Sequence, residues 1–335
     1  MACTYAFELS GEHDTLPRSE ALSLLDVYSS GYRELCWLDQ CLIVEAKDLD
    51  AKTMVARMGM THRIIKILVI CDARPETISA AVREISIHPH KSYRVRARKV
   101  KHASMKGDQV EHEVGRALYQ NGYRADLSNP DVELRAIITG DKVVLGVEVG
   151  RAERSGFEDR RPHLKPFFHP GVLMPRMART LVNISGAKEG ETLLDPFSGT
   201  GGILVEACLA GMAGIGVDVQ KKLVKGAKAN LNGLDCCLII GDAKRLPFED
   251  CSINNAVLDT PYGRSALIEA TSREDLLSQS LFELYRVLKP GKRMVIVADR
   301  PIGDIIMKTD FQIMESHFDR VHKSLIRHIT ICQKP

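Results

Sequence analysis

The sequence predicts an α/β protein whose C-terminal half is a doubly wound parallel sheet and whose N-terminal half holds two smaller α+β modules. Three observations lead there. From residue 171 onward, short apolar runs alternate strictly with helical patterns, as strands joined by helical crossovers do. Four of those runs close on an aspartate that opens a loop: Asp195, Asp218, Asp242 and Asp259. With 335 residues and 44% hydrophobic side chains, the chain is long enough for two or three domains with sizeable cores.

Residues 1–74 read as a ferredoxin-like unit: strand "TYAFEL", helix "LPRSEALSLLDVYS", one strand over "ELCWLDQCLIVEA", helix "AKTMVARM" and strand "RIIKILVIC". The second strand of its central hairpin has no clear signal of its own. Residues 75–150 form a second module. Helix "ETISAAVREI" leads into "SYRVRARKV", whose alternation buries one face and makes the other cationic. The amphipathic helix "DQVEHEVGRALYQN" follows, closed by Gly122, and then "VELRAIIT" and "KVVLGVEVG" flank a turn at Gly140 and Asp141. Residues 151–170, charged and Pro-rich without a period, read as a linker. The sheet domain spans 171–335, its strands being "TLLD", "AGIGVD", "CLIIGD", "NNAVLD" and "RMVIVAD" between helical stretches.

Composition excludes several classes. No apolar run approaches the ~18 residues of a membrane span, and the N-terminus lacks the basic-then-apolar pattern of a secretory signal. A cytoplasmic chain without membrane contact is expected. The nine cysteines contain no CxxC pair, so no metal site is expected and buried free thiols are. Formal net charge is +3, with 20 Lys/Arg against 21 Asp/Glu in residues 1–150 and 26 against 22 after them. Any anion-binding surface is therefore local. "KSYRVRARKVK" at 91–101, six cations in eleven residues, is either such a surface or a charged edge strand protected from aggregation. No Ser/His/Asp arrangement points to a hydrolase.

The chemistry concentrates in the C-terminal half. In open α/β sheets ligands bind outside the carboxyl ends of strands, so the four aspartates should face one crevice. The loop "DPFSGTGG" at 195–202 offers close backbone approach and a following helix N-terminus. It matches neither G-x-G-x-x-G, since Leu204 stands where the last Gly belongs, nor a P-loop. Asp195, four residues before Gly199, would repel a pyrophosphate but suits an ammonium or sulfonium. Asp218 fits a ribose diol and Asp242 an adenine amino group. The preference is for S-adenosylmethionine. At the fourth strand end, "DTPYG" at 259–263 places Asp259 and the Thr260 carbonyl as two acceptors for a planar exocyclic amine, with Tyr262 as a stacking face.

With these residues in view, "DPFSGTGG" and D-x-P-Y resemble the amino-group Rossmann-fold methyltransferases, whose usual tetrad is Asp or Asn, Pro, Pro, Tyr. "KPFFHPGVLMPRMARTLVN" at 165–183 and the terminal "RHITICQ" resemble, more narrowly, the archaeal THUMP-domain tRNA guanine-N2 methyltransferases. These are related to the eukaryotic catalytic subunit acting at tRNA position 10. The opening "YAFELSGEHDTLPRSEALSLL" and "SNPDVELR" at 128–135 extend the resemblance over nearly the whole chain.

The resemblance implies a THUMP RNA-binding domain at 75–150 and N2 methylation of a guanosine in tRNA, once or twice. It implies tRNA as partner, a small zinc-binding activator protein, and a monomer. Phe168 and His169 are implied to line the methionine end of the cofactor pocket; without the resemblance they could equally pack the linker. The expected cofactor set is completed by Asp195, Phe197, Gly199, Thr200, Gly201, Asp218, Val219, Asp242 and Ala243. Asp259, Thr260, Pro261 and Tyr262 form the expected catalytic set. Arg94, Arg96, Arg98, Lys99 and Lys101 are implied to meet tRNA phosphates, with the three arginines dominant. Two readings compete: an amino-methyltransferase on ribosomal RNA or DNA adenine, and a non-catalytic RNA-binding protein. One departure is visible. Thr260 replaces the first Pro of the tetrad, which predicts a looser loop and equal or higher turnover for Thr260→Pro.

Overall fold

The computed structural model describes residues 2–86, 91–261, 273–322 and 325–335. Two compact units emerge, Met1–Glu153 and Arg154–Pro335.

The first unit runs β1 (Ala2–Leu9), α1 (Leu16–Tyr28), β2 (Gly31–Leu38), β3 (Cys41–Lys47), α2 (Ala51–Arg57), β4 (Thr61–Asp72), α3 (Pro75–Arg83), β5 (Tyr93–Lys99), α4 (Gly107–Gln120), β6 (Val132–Thr139) and β7 (Lys142–Arg151). The stretch read as one strand over 34–46 is a hairpin. Its turn rests on Gln40, held at φ 54° between β2 and β3. The two expected modules share one seven-stranded sheet, ordered β2-β3-β1-β4-β7-β6-β5, because the twelve-residue β4 pairs with β1 on one side and β7 on the other.

Alternation along the strands sorts the side chains between two faces. Phe7, Leu42 and Ile64 pack in one cluster and Leu134, Ala136 and Leu145 in another, both on the face that carries the helices. Ala6, Ile43, Ile65, Ile137 and Val144 fill the opposite face. There Glu8, 1% exposed, accepts from Arg135 Nε at 2.7 Å and Nη2 at 2.9 Å and from Arg98 at 3.2 Å. Burial pushes the Glu8 carboxyl up, but the Arg135 hydrogen bonds and the charges of Arg135, Arg98 and Arg63 together hold it below its ordinary value.

The second unit runs α5 (Ser155–Asp159), α6 (Pro175–Ile184), β8 (Thr192–Asp195), α7 (Gly202–Leu209), β9 (Ala213–Asp218), α8 (Lys221–Asn230), β10 (Cys236–Ile240), β11 (Asn255–Asp259), α9 (Arg273–Val287), β12 (Arg293–Ala298), α10 (Gly303–Ile306), β13 (Gln312–His322) and β14 (Leu325–Gln333). The strand order is β10-β9-β8-β11-β12-β14-β13. The first five strands are parallel, and β14 and β13 add an antiparallel hairpin at the far edge. Strand order reverses between β8 and β11, which opens a crevice at their carboxyl ends.

Residues 154–164, read from sequence as part of a linker, are packed into this unit. Glu206 on α7, fully buried, accepts from Arg160 Nε at 2.8 Å and Nη2 at 3.1 Å and meets Arg179 Nη2 at 3.0 Å. Both guanidiniums also lie over the Phe157 ring, 5.0 and 5.8 Å from its centre. One carboxylate thus joins α5, α6 and α7. Replacing Glu206 with Gln leaves two poorly solvated cations short of their counter-charge. We expect a loss of about 3 kcal/mol in this unit's stability, read from its urea transition by circular dichroism. An unchanged midpoint would show that the network contributes nothing.

Candidate active site

The carboxyl ends of β8, β9 and β11 and the turn after β10 surround a cavity of about 490 Å³. His169, Asp195, Phe197, Gly199, Thr200, Asp218, Val219, Asp242, Ala243, Asp259, Thr260 and Pro261 all line it. Twelve residues scattered over 93 positions of sequence are thereby brought to one place.

Three expected residues stand apart. Phe168 is not on the cavity wall and is 51% exposed. Gly201 does not line the cavity either. At φ 79° it starts α7, and an added Cβ would lie 2.8 Å from Leu231 Cδ1, so its work is to let the turn close against the end of α8. Tyr262 lies outside the described residues. Val172, Leu173, Ile203, Gln220, Leu223 and Lys244 also line the cavity and were not expected. Four of these, Val172, Leu173, Ile203 and Leu223, are apolar residues that sequence alone cannot distinguish from core.

The electrostatics of the wall are one-sided. Asp195 is 2% exposed and accepts the Phe197 N–H at 3.1 Å, with no cationic side chain paired to it among the described residues. Burial pushes its carboxyl well above the ordinary value, the Phe197 N–H opposes this, and the charges of Asp259 and Asp218 raise it further. Asp218 accepts the Gly199 N–H at 2.9 Å and the Gln220 N–H at 2.8 Å, and burial raises it too, against those two bonds. Asp242 is more open: it accepts the Lys244 N–H at 2.9 Å and meets Lys244 Nζ at 3.4 Å. Two buried carboxylates, Asp195 and Asp218, with no cationic side chain paired to either among the described residues, fit a positively charged ligand.

A second contact group holds the segment before α6 in place. The Phe167 ring lies flat against Gly226 of α8, where any Cβ would collide with it. Asn230, at the end of α8, accepts the Phe167 N–H at 2.9 Å and donates to the Phe167 carbonyl at 2.9 Å and the Thr200 carbonyl at 3.0 Å. One amide therefore ties the 165–171 segment to the glycine loop. Nothing in the sequence around Asn230 signals this.

Comparison with known proteins decides the family. Residues 162–329 match the family described as "RMKL-like, methyltransferase domain", and residues 75–148 match the THUMP domain. The chain is 30% identical over 333 residues to the tRNA (guanine(10)-N2)-dimethyltransferase of Methanothermobacter thermautotrophicus, with 97% of this chain and 98% of that protein covered. The chain belongs to the THUMP-containing tRNA guanine-N2 methyltransferases. The enzyme of the same name from Methanocaldococcus jannaschii is 28% identical over 361 residues, covering 98% of this chain and 99% of its own. Among solved structures, TrmN from Thermus thermophilus shares the fold at a TM-score of 0.54 and 19% identity, covering 99% of this chain and all of the other. SMU.472, a putative methyltransferase complexed with SAH, shares it at 0.51 and 12% identity, covering all of this chain and 98% of its own. S-adenosylmethionine is the cofactor of this methyltransferase fold, and the carboxylate wall fits its sulfonium and ammonium charges.

In the THUMP region the arginines expected to be free are engaged. Arg94 is paired with Glu133, Arg96 lies 3.7 Å from Glu111, and Arg98 donates to Glu8, to the Leu9 carbonyl and to Gln40 Oε1 at 3.2, 3.1 and 2.8 Å. The parallel register of β5 on β6 puts them on the face that carries Glu133 and Arg135, where acids are at hand. Lys99 and Lys101 are exposed and have no carboxylate partner among the described residues. β5 is an edge strand, so the protective reading of its charges stands beside the RNA-binding one.

The departure at Thr260 has a structural explanation that reverses the sequence expectation. The Thr260 N–H donates to the Val297 carbonyl at 2.9 Å, and its hydroxyl donates to the same oxygen at 2.9 Å. Two hydrogen bonds hold the turn at the position where the usual tetrad has Pro. Thr260→Pro would delete both, because Pro has neither donor. We expect a loss of about 2 kcal/mol and reduced turnover, with Thr260→Val in between. Turnover in Thr260→Pro equal to the parent's would show that fixed φ alone is enough.

Proposed function

We propose that this methyltransferase transfers a methyl group from S-adenosylmethionine to the exocyclic N2 of guanosine 10 in tRNA. One observation carries the reading: the Asp259–Thr260–Pro261 strand end stands on the wall of the same cavity as Asp195 and Asp218. A cofactor held by those aspartates and an amine held by Asp259 and Thr260 would then share one pocket. The THUMP match favours tRNA over ribosomal RNA or DNA as the substrate. Relatives that cover nearly the whole chain are named for guanosine 10 and for dimethylation.

The chemistry follows from the amine. Guanine N2 is a weak nucleophile because its lone pair is delocalised into the ring. The Asp259 carboxylate and the Thr260 carbonyl would each take one N–H, turn the lone pair towards the donor, and stabilise the positive charge that grows on nitrogen. The bound cofactor supplies an electrophilic methyl on a sulfonium. Asp195 and Asp218 would hold its cationic and ribose portions, with Asp242 at the adenine end.

Asp259→Ala should lower methyl transfer to a tRNA transcript at least about 100-fold while leaving S-adenosylmethionine affinity within a few-fold. Mass spectrometry of the product nucleosides reads both the loss and the number of methyl groups added, with the purified chain alone and with a small zinc-binding activator. Near-parent transfer by this variant would remove Asp259 from the mechanism.

A pH effect follows from Asp195. Its raised value stabilises the free protein below the ordinary aspartate value of 3.8, and that contribution fades as pH climbs through the raised value. The cationic cofactor prefers the ionised carboxylate. Affinity for S-adenosylmethionine should therefore rise with pH across that window, with proton release on binding, and Asp195→Asn should bind weakly without the pH dependence. Calorimetry in buffers of different ionisation enthalpy measures this. A pH-independent parent affinity with no proton release would mean that Asp195 is already ionised before binding.

A further inference from the structure

We propose that α8 is a phosphate-binding strip through which the tRNA backbone is held beside the cavity. The inference rests on tRNA being the substrate. Every charged residue of α8 is a lysine: Lys221, Lys222, Lys225 and Lys228. All four are exposed, and none has a carboxylate partner among the described residues. At 100° per residue, Lys221, Lys225 and Lys228 fall within about 60° of one another and span roughly 10 Å of helix. Leu223, Val224 and Ala227 are buried on the other side.

Helix stability does not account for this pattern. Lys221 and Lys222 sit in the first turn, where the positive end of the helix dipole disfavours cations, and no acid is present there to offset them. Lysines three and four apart on one face also repel each other. Such an arrangement is relieved by an anion lying along the stripe, and a polynucleotide backbone is a row of anions. The location fits as well. Gln220 and Leu223 at the start of α8 line the cavity, so the stripe begins at its lip. Exposed Arg245 follows on the turn after β10, one residue beyond the cavity-lining Lys244. The helix is a firm platform, since Gly226 and Asn230 clamp Phe167 from its inner side.

The contrast with β5 strengthens the choice. Arg94, Arg96 and Arg98 are neutralised by acids of their own unit, whereas the α8 lysines are not. A phosphate displacing water from α8 releases counterions without breaking an internal pair.

The test compares the parent with Lys221→Gln/Lys225→Gln/Lys228→Gln and with the corresponding triple Arg variant. Fluorescence anisotropy of a labelled tRNA transcript is read at several salt concentrations. The Gln triple is expected to bind about 10-fold more weakly near 0.15 M salt, with the slope of log K against log salt lowered by about 2 to 3. The Arg triple should keep both, and S-adenosylmethionine affinity should be equal in all three. Equal tRNA affinity and slope in the Gln triple overturns the inference. So does a parallel loss of cofactor affinity, which would mean that α8 was merely disturbed. If the parent binds tRNA but transfers no methyl group to it, the proposed reaction fails while the binding strip is still judged by the same titration.

Discussion

Asp195 ends β8 with 2% exposure, one backbone N–H as partner, and Asp218 and Asp259 close enough to raise its proton affinity further. A carboxylate kept out of water without a cation is costly unless it is protonated or a cation arrives. Burial and the neighbouring carboxylates both favour the protonated form of Asp195 in the free protein. A ligand bearing a sulfonium or an ammonium favours the ionised form instead, which couples its binding to the titration of Asp195. The same constraint shapes the neighbouring strand. Asp218 spends hydrogen-bonding capacity on the Gly199 and Gln220 N–H groups, which fixes the glycine loop to the start of α8. The loop's geometry therefore depends on a side chain that also faces the cavity, and Asp218→Ala would disturb both at once.

The site was largely legible because its signals are local. A strand that closes on an acid, followed by a loop of small residues, is written in consecutive positions, and parallel topology brings such positions together. The reversal of strand order between β8 and β11 then places Asp259 across from Asp195 with no further sequence information. What escaped was written in no one place. The β2–β3 hairpin turns on Asp39 and Gln40, neither of them Gly, and a continuous apolar-rich run hid it. The β13–β14 hairpin that extends the sheet was not expected as a pair of strands. Phe168 was placed with the cofactor beside His169, yet its neighbour Phe167 is the one held in place, its ring against Gly226, where a Cβ would collide with it. The Asn230 clamp and the Glu206 network link residues 63 and 46 apart, and such pairings exist only once the helices have packed.

These two unforeseen contacts act on the same stretch of chain from opposite ends. Glu206 holds Arg160, which precedes the "KPFFHPG" segment, and Asn230 holds Phe167 within it. His169 to Leu173 then form one wall of the cavity. Between Arg160 and Leu173 the chain has almost no regular structure, with a single 3₁₀ turn over Pro162–Leu164, so its shape comes from these anchors. A loop that must lie against a cofactor without helix or strand needs its backbone groups satisfied by side chains, and Asn230 supplies both a donor and an acceptor to Phe167.

Counting cations along the sequence pointed to β5, where six fall in eleven residues. Counting neighbours in space points elsewhere. Arg is suited to carboxylates through its planar fork, and on β5 the arginines face Glu8, Glu111 and Glu133. Their charge is consumed in holding the sheet together, most visibly where Arg98 of the edge strand reaches Glu8, Leu9 and Gln40 near the opposite side of the sheet order. Lysine is a compact charge on a flexible stem and keeps its hydration until a phosphate comes close. On α8 four of them face water with no acid on the helix. For a protein of net charge +3, binding a polyanion depends less on how many cations it carries than on how many are left unspent by its own fold.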